Sequence, residues 1–564
     1  MPNLFAKDQI IAPPGFNRWR VPPASVAIHL CIGSVYAWSI FNPPLMKLHG
    51  VVASAADDWT LSEVTWIFTV AIVCLGLSAA VAGKWLERVG PRLVGSVSAC
   101  CWGGGFLIGG VGILTHQLWL LYLGYGVVGG IGLGLGYVSP VSTLIKWFPD
   151  RRGMATGLAI MGFGGGAIIG APLKESLMTS FYQPPRYLGT VESVELKTES
   201  GRRFANVDGQ SREVVIVGKN EISQMLVKGN EGVYVVGTGR TGVAETFFTL
   251  GLAYFVVILV AAFSYRLPAA NWKPAGWTPP VEGQAGSMIT SHNVSPDEAI
   301  KTPQFYLLWI VLCFNVTAGI GVLGVAKTMM GEIFGTTLPT IVTSSFAATF
   351  VLMTSVFNMV GRFGWSTASD YLGRQRTYAI FFALGTLLYA SIPFIAHEQG
   401  QHPAVQWLIA FYAVSMLIFT MYGGGFAAIP AYLSDLFGTK FVGAIHGRLL
   451  TAWSTAGVLG LMTINFLRDR SLQAALSDLA TKIDPALFET TFGAPLTELP
   501  ALVAKKSVTL PKLMALVPPG TVDPSSTLYS STMLAMAGLL AIAFVANWLV
   551  RPVDPKHHWV EAAK

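Results

Sequence analysis

Charged residues are scarce in this sequence: Asp, Glu, Lys and Arg make up 12% of its 564 residues, whereas 52% are apolar. The mean hydropathy is +0.54. A chain of this length with so little polar surface could hardly remain in aqueous solution, which excludes an ordinary soluble protein. The composition therefore predicts a membrane protein.

Cysteine is also rare, and the motifs of several enzyme classes are missing. All five cysteines fall in apolar stretches and no CxxC pair occurs, which argues against outer disulfides and a cysteine metal site. The sequence has no HExxH, no glycine-rich loop ending in Lys-Ser or Lys-Thr, and no paired carboxylates in the middle of an apolar stretch. These absences argue against a protease, an ATP-driven pump or a hydrolase. We predict no enzymatic activity, no metal and no cofactor.

Long apolar stretches dominate what is present, and each has the ~20 residues that a helix needs to span a bilayer. The first shows no small-x-small cleavage site and is longer than a signal peptide, so it is predicted to remain as helix 1. The sequence thus predicts an all-α membrane protein with twelve membrane helices, near 22–43, 61–83, 93–114, 119–143, 153–173, 246–265, 304–326, 341–365, 377–396, 405–431, 443–467 and 528–550.

Basic residues are distributed unevenly over the segments between these helices. Eighteen Lys and Arg lie on the side of both chain ends, whereas only Lys47 and Lys327 lie in the short loops opposite. By the positive-inside rule both termini are predicted to be cytoplasmic, in a cytoplasmic (inner) membrane. The net charge of +7 follows from this bias and needs no nucleic-acid partner. Lys174 and Glu175, near the outer end of helix 5, are predicted to mark the membrane interface.

Two polar inserts interrupt the pattern on the outer side. Residues 180–245 contain alternating stretches such as REVVIVG and GVYVVGTG, which predict a small β unit. Residues 468–527 read as short helices, SLQAALSDLATKI and PALVAKK, separated by prolines. The inserts either cap the outer mouth of the protein or are insertions tolerated in surface loops.

The inserts complete a predicted division of the chain into nine segments. They are a cytoplasmic N-terminus (1–21), helices 1–5 (22–179), an outer insert (180–245), helix 6 (246–266), a cytoplasmic linker (267–302), helices 7–11 (303–467), a second outer insert (468–527), helix 12 (528–550) and a cytoplasmic tail (551–564).

Two pairs of segments show that the chain consists of two related halves. The helix 4–5 segment and the helix 10–11 segment share one proline and two glycines at the same register, and the loops GKWLERVGPR and WSTASDYLGRQR share a carboxylate and a glycine. The matching residues are Pro140, Gly153 and Gly157 with Pro430, Gly443 and Gly447, and Glu87 and Gly90 with Asp370 and Gly373.

The duplicated loop and the twelve helices resemble the major facilitator superfamily, whose fold is two pseudo-symmetric six-helix bundles. Glu87 stands where that family usually has aspartate. The resemblance implies that the loop charges gate the cytoplasmic side, although an ordinary topogenic loop would also carry arginines. The candidate gating residues are Glu87, Gly90, Arg92, Asp370, Gly373 and Arg374.

Arg362 is the most informative single residue. It lies eight positions before Asp370 in an apolar helix, about 12 Å inward from the cytoplasmic loop. A charge there needs a polar cavity or a partner, yet no Asp or Glu lies in the middle of any predicted span. An anionic substrate could supply that partner, with Asn358 one turn away on the same face. The alternative is an arginine that extends to the cytoplasmic interface.

Other polar residues in the predicted spans are weaker candidates. Tyr36, Tyr137 and Tyr422 could donate hydrogen bonds to a carboxylate, or could belong to the core or the interfacial aromatic belt. His29 is the only group in the middle of a predicted span that titrates near neutral pH, so it is a candidate proton carrier. A histidine satisfied by a neighbouring hydroxyl or carbonyl group is the alternative.

Five motifs in order give a narrower resemblance, to the oxalate:formate antiporter family and its monocarboxylate-transporting relatives. They are IHLCIGSVYAWSIF, GYVSPVSTLIKWFPDRRGMATGLA, KTPQFYLLW, FNMVGRFGWSTASDYLGR and AYLSDLFGTKFVGAIHG. The resemblance implies that Asn358 and Arg362 bind carboxylate. Oxalate-specific members add a lysine on helix 11, where this chain has Trp453; Arg448 lies near the cytoplasmic end of that helix. A single cation favours a monocarboxylate such as formate, acetate, lactate or pyruvate.

These inferences predict a monomeric secondary transporter that moves small carboxylates across the bilayer by alternating access, as an antiporter or a proton symporter. An oxalate:formate exchanger is one alternative. A membrane receptor with a transporter-like body is another, but the 267–302 segment is a Pro- and Gly-rich linker rather than an output domain.

Overall fold

The computed structural model describes residues 4–148, 152–222, 224–269, 272–276, 288, 290, 292–438 and 440–559, without the side chains of residues 84, 87, 145, 152–156, 219 and 220. Within these ranges, twelve helices are long and apolar enough to cross a membrane. The predicted all-α membrane fold is confirmed.

Most of the twelve helices are single continuous segments. Helices 1, 4 and 11 are composite. In order, the helices are helix 1 (Val21–Gly33 and Ser34–Ile40), 2 (Leu61–Val89), 3 (Pro91–Leu114), 4 (Leu118–Leu121, Tyr122–Gly129 and Gly130–Trp147), 5 (Arg152–Phe181), 6 (Val243–Ser264), 7 (Pro303–Phe334), 8 (Ser344–Leu372), 9 (Arg374–Gln401), 10 (Val405–Phe437), 11 (Val442–Leu449 and Thr451–Ala480) and 12 (Ser530–Leu549).

The duplicated loops have the same backbone geometry in both halves. Gly90 ends helix 2 and precedes helix 3 with φ of 85°, and Gly373 does the same between helices 8 and 9 with φ of 83°. A side chain at this positive φ would be strained, which explains why glycine stands at both positions.

Small residues and short polar side chains line the contact between the two halves. Ser355 of helix 8 donates to the Gly164 carbonyl of helix 5 at 2.5 Å, and Ser454 of helix 11 donates to the Val73 carbonyl of helix 2 at 2.9 Å. Small residues let helix backbones approach closely in a membrane, where the hydrophobic effect does not drive helices together.

The first insert contains the predicted small β unit, an antiparallel five-stranded sheet with the strand order β1-β5-β4-β3-β2. In the second insert the prediction was wrong at the start: helix 11 does not end near 467 but continues to Ala480, because RDRSLQAALSDLA contains no helix breaker. Three short helices follow it, Pro485–Phe492, Leu499–Ala504 and Leu510–Met514. The strands are β1 (Tyr187–Gly189), β2 (Leu196–Glu199), β3 (Arg202–Val207), β4 (Gln210–Val217) and β5 (Gly232–Val235).

The two inserts contact each other on the side of the bundle opposite the chain ends, which we call the outer side. Thr198 of β2 donates to the Phe492 carbonyl of the second insert at 2.9 Å, and Arg203 of β3 donates to the Thr491 carbonyl at 2.8 Å. Lys506 of the second insert in turn donates to the Asp58 carbonyl, just before helix 2. Each insert thus belongs to one half of the chain but binds the other.

Candidate functional site

Arg362 lies in the contact between the two halves, with its side chain fully buried. Its Nε donates to Asn358 Oδ1 at 2.9 Å, and its Nη1 donates to the Ile160 carbonyl of helix 5 at 3.1 Å. Its Nη2 is 3.4 Å from the Tyr36 hydroxyl of helix 1. These bonds use three of the five N–H groups of a guanidinium. Arg362 therefore points between the halves rather than towards a membrane interface.

The guanidinium has no carboxylate counterion within the described part of the chain, where no Asp or Glu oxygen lies within 4.0 Å of it. A buried charge without a partner is costly in the protein interior. The surroundings of Arg362 supply neutral acceptors and aromatic faces instead.

Three tyrosines singled out in the sequence lie around Arg362. The Tyr422 hydroxyl of helix 10 donates to the Tyr36 hydroxyl at 3.2 Å, so helices 1, 8 and 10 are joined through Tyr36. Tyr137 of helix 4 packs on the far side of Phe163, with ring centroids 5.5 Å apart. All three side chains are buried.

Trp453, at the position where the resemblance implies a lysine in oxalate-specific members, also belongs to this cluster. Its ring lies 5.5 Å from that of Tyr137 and 4.6 Å from that of Phe426, measured between centroids. Arg448, the other cation on helix 11, donates to the Pro296 carbonyl and to Asp297, both at 2.6 Å. It is thus bound to the linker, and Arg362 is the cation of this aromatic cluster.

Sequence reasoning missed two phenylalanines that complete the cluster. The Arg362 Cζ atom lies 5.1 Å from the ring centroid of Phe426 and 5.9 Å from that of Phe163, within range of a cation–π interaction. Both residues adjoin glycine runs, GFGGG and YGGGF. An aromatic residue beside a run of glycines on two different helices was the available signal, because the glycines allow another helix to approach the ring.

Three polar atoms in the cluster are buried without a hydrogen-bond partner among the described residues: Asn358 Nδ2, the Tyr137 hydroxyl and Trp453 Nε1. Each can donate a hydrogen bond. Leaving a buried donor unsatisfied costs about 1–3 kcal/mol, so such groups are typical of a site that receives a ligand. Together with Arg362 they form a cluster of donors suited to an acceptor such as a carboxylate.

His29 lies behind this cluster, within the first half. Its Nδ1 contacts the Ala159 carbonyl and its Nε2 lies 3.2 Å from the Tyr137 carbonyl. A neutral imidazole has one N–H and can donate to only one of these oxygens. Only a protonated ring, which has two N–H groups, can donate to both oxygens at once. The same contacts also fit a histidine that only packs in the protein core.

The loop between helices 8 and 9 carries a charge cluster confined to the second half. Arg374 donates to Asp370 at 2.5 Å and to Asp435 of helix 10 at 3.3 Å, and it also contacts Ser369. Sequence reasoning missed Asp435, although it stands in the quoted AYLSDLFG motif.

The equivalent arginine of the first half makes different contacts. Arg92 donates to the Leu4 carbonyl at 2.8 Å and to the Phe263 carbonyl at the end of helix 6 at 3.2 Å. It thereby holds the N-terminal segment against its own bundle. The side chain of Glu87 lies outside the part of the chain that the structure describes.

The assignment of Lys327 to a loop was wrong, and two neighbouring charges near the outer side, Lys174 and Glu175, make contacts between helices. Lys327 is not a loop residue but lies within helix 7, which runs unbroken to Phe334, and it pairs with Glu175 of helix 5. Lys174 is buried and donates to the Ser34 and Ala37 carbonyls at 2.8 and 3.2 Å. Helix 1 becomes a 3-10 helix there, which frees carbonyl oxygens for a lysine to bind.

A substitution at Gly164 tests whether carboxylate affinity depends on the position of the Arg362 guanidinium. A Cβ atom on Gly164 would lie 2.7 Å from Arg362 Nε and 2.9 Å from its Cδ, so Gly164→Ala must displace the guanidinium. We expect carboxylate affinity to fall about 10-fold, the effect of losing ~1.4 kcal/mol, with the protein still folded. Gly104→Ala in helix 3 is the matched control, because its Cβ would meet no atom within 4 Å. Equal affinities of the two variants in a binding assay would contradict the prediction.

Comparisons with known proteins show what this chain is similar to. The family model of the Major Facilitator Superfamily matches residues 25–189. The oxalate:formate antiporter of Oxalobacter formigenes is 25% identical over 79% of this chain and 83% of its own length. Apicoplast pyruvate carrier 1 of Toxoplasma gondii is 24% identical over 75% of this chain and 78% of its own length.

A solved structure shares the fold along the whole chain. The crystal structure of a bacterial homolog to the human lysosomal transporter Spinster matches with a TM-score of 0.59 and 15% identity, over 98% of this chain and 100% of that one. The family model over residues 25–189, the sequence matches along most of the chain, the twelve helices and the duplicated glycine-capped loops make this chain similar to proteins of the major facilitator superfamily.

Proposed function

We propose that the protein is a secondary transporter that moves small monocarboxylates across the cytoplasmic membrane by alternating access, with no catalytic step. The observation that carries the proposal is the fully buried Arg362, which has no carboxylate counterion among the described residues. A substrate carboxylate would neutralise it and accept two parallel N–H bonds from the guanidinium. Asn358 would orient the arginine and add a donor of its own through Nδ2.

The number of cations in the cluster determines which charge of substrate can be neutralised there. A monoanion would neutralise Arg362, whereas a dianion such as oxalate would retain one uncompensated negative charge in an aromatic environment. Trp453 stands where the resemblance implies a lysine in oxalate-specific members, and its ring packs 4.6 Å from that of Phe426, measured between centroids. Formate, acetate, lactate and pyruvate therefore fit better than oxalate. The names of the similar proteins, an oxalate:formate antiporter and a pyruvate carrier, support carboxylates as the substrate class.

Alternating access requires the halves to separate on one side at a time. Helices 1 and 5 of the first half and helices 8 and 10 of the second meet at Arg362, so its hydrogen bonds to Ile160 and Tyr36 must exchange when the halves move. The charges around Arg374 and the helix caps at Gly90 and Gly373 would act as gating elements on the cytoplasmic side.

Coupling to protons would involve His29, whose two carbonyl contacts both become hydrogen bonds when the ring is protonated. Exchange of one carboxylate for another would need no such group. We include both modes in the proposal, with both termini in the cytoplasm and a monomer as the transporting unit.

Uptake by proteoliposomes tests the function directly. We expect saturable uptake of at least one labelled monocarboxylate among formate, acetate, lactate and pyruvate, and weaker uptake of oxalate. Stimulation by internal carboxylate would identify exchange, and stimulation by an inward proton gradient that is lost in His29→Gln would identify symport. Binding of these anions without any flux would overturn the proposal in favour of a receptor.

A further inference from the structure

A cavity of about 370 Å³, with charged and hydroxyl side chains in its lining, lies at the outer side, beneath the two inserts. Its floor is formed by the segment that follows helix 1 and by the outer ends of helices 7, 8 and 11, and its roof includes residues of both inserts. The charged and hydroxyl side chains in its lining include Lys47, Glu221, Lys327, Thr328, Thr336 and Thr509. We call this cavity the outer vestibule.

The carboxylates that line the vestibule already have partners. Glu332 accepts from Arg468 Nε at 2.9 Å and from the Tyr529 hydroxyl at 2.5 Å. Glu221 accepts from the Gly218 backbone N–H at 2.8 Å, and one of its oxygens lies 3.8 Å from the Lys512 ammonium. Their negative charge is therefore compensated within the protein.

The two lysines Lys47 and Lys327 in the vestibule differ in whether they have a carboxylate partner. Lys327 pairs with Glu175, but no carboxylate oxygen lies within 4.0 Å of the Lys47 ammonium in the described part of the chain. Within the described ranges, the hydrogen bond of the Lys47 ammonium goes to the Val52 carbonyl, at 3.2 Å. Burial lowers the pKa of Lys47, and the nearby Lys327 and Lys512 lower it further, against the effect of Glu221 and Asp58. Among the described residues, Lys47 thus has no carboxylate within ion-pair distance, although Glu221 and Asp58 are close enough to favour its charged form.

Three hydroxyl groups in the same cavity lack hydrogen-bond partners. The side-chain oxygens of Thr328, Thr336 and Thr509 are buried, and none is bonded within the described residues. Thr328 and Thr336 come from helix 7 and the turn after it, and Thr509 comes from the second insert. Unsatisfied buried hydroxyls beside an unpaired ammonium group are the features of a site for a small anion.

The vestibule lies on the same path as the Arg362 cluster. Lys327 is eight residues from Gly319 on helix 7, and the Gly319 backbone packs against the Tyr422 ring. Eight residues of helix correspond to about 12 Å. The vestibule is therefore directly outside the central cluster, separated from it by little more than two turns of helix.

We infer that the outer vestibule binds a second small monocarboxylate, held by the Lys47 ammonium and the Thr328, Thr336 and Thr509 hydroxyls, beneath a roof built by the two inserts. The identity of the anion as a carboxylate rests on the proposed function. With a single unpaired cation, the vestibule selects the same charge as the central site. It would hold the next substrate while the central site is occupied.

Binding stoichiometry distinguishes two sites from one. The experiment is equilibrium dialysis of [14C]pyruvate against the full-length protein in lipid nanodiscs, for wild type, Arg362→Ala, Lys47→Met and the double variant. We expect Arg362→Ala to retain one saturable site, and the added Lys47→Met to weaken that site at least ~10-fold. Lys47→Met alone should leave the affinity of the central Arg362 site for pyruvate unchanged. Lys482→Met, a surface lysine of the second insert paired with Asp478, is the control.

The outcomes separate the two proposals. If wild type binds one pyruvate and Arg362→Ala binds none, the vestibule site is refuted and the proposed function stands. If Arg362→Ala retains a site that neither Lys47→Met nor the milder Lys47→Gln weakens, the vestibule assignment is wrong as well. If wild type neither binds nor transports pyruvate or the other monocarboxylates, both proposals fail.

Discussion

Arg362→Ala is expected to lower carboxylate uptake by at least about 100-fold. A bidentate bond between guanidinium and carboxylate consists of two charge-assisted hydrogen bonds, each worth roughly 1.5–3 kcal/mol. Loss of both therefore removes about 3 kcal/mol or more, and each 1.4 kcal/mol is a factor of ten in affinity. The effect should appear in initial rates of [14C]pyruvate uptake measured below saturation.

Arg362→Lys separates charge from geometry. A lysine keeps the positive charge but lacks the planar fork, and it cannot reach Asn358, Ile160 and Tyr36 at the same time as the guanidinium does. We expect an intermediate loss of about 10-fold. Phe363→Ala is the matched control on the same helix, because its side chain is 55% exposed on the outside of the bundle. Normal uptake by Arg362→Ala would remove the central site from the proposal.

The features that sequence analysis predicted well are those with a local physical cause. Helix number follows from hydropathy, and the duplicated loops follow from two glycines whose positive φ is required by the chain reversal itself. Arg362 could be singled out because a charge in an apolar helix demands a partner. Asn358 was expected beside Arg362 from helical periodicity, whereas Trp453 was singled out through the family resemblance and not from a local cause.

The features that sequence analysis missed depend on contacts between distant segments. Phe163 and Phe426 are apolar residues in apolar helices; the glycine runs beside them indicate that another helix comes close, but nothing in their local sequence indicates that this helix carries Arg362. Lys327 was assigned to a loop because a lysine is rare inside a span, and only its pairing with Glu175 of another helix makes that position tolerable. The vestibule is lined by segments that lie far apart in the sequence, from Pro43 to Leu528, so it has no linear signature.

Trp453→Lys is expected to change the preferred charge of the substrate. The Trp453 ring lies 4.6 Å from the Phe426 ring, which in turn faces the Arg362 guanidinium. A flexible lysine in place of the larger indole could therefore bring its ammonium near a carboxylate bound to Arg362. At ~6 Å and an effective dielectric constant of about 20, the attraction between an ammonium and a second carboxylate is about 3 kcal/mol, a factor of ~100.

The measurement is the ratio of initial [14C]oxalate uptake to [14C]pyruvate uptake, which we expect to rise by roughly 100-fold in the lysine variant. Pyruvate uptake itself should fall, because a monoanion leaves one of two adjacent cations uncompensated. Trp453→Met removes the same ring without adding charge, so it reports the effect of space alone. If Met and Lys gave the same ratio, charge at this position would not decide the substrate, and selection would have to come from the shape of the aromatic cluster around Arg362.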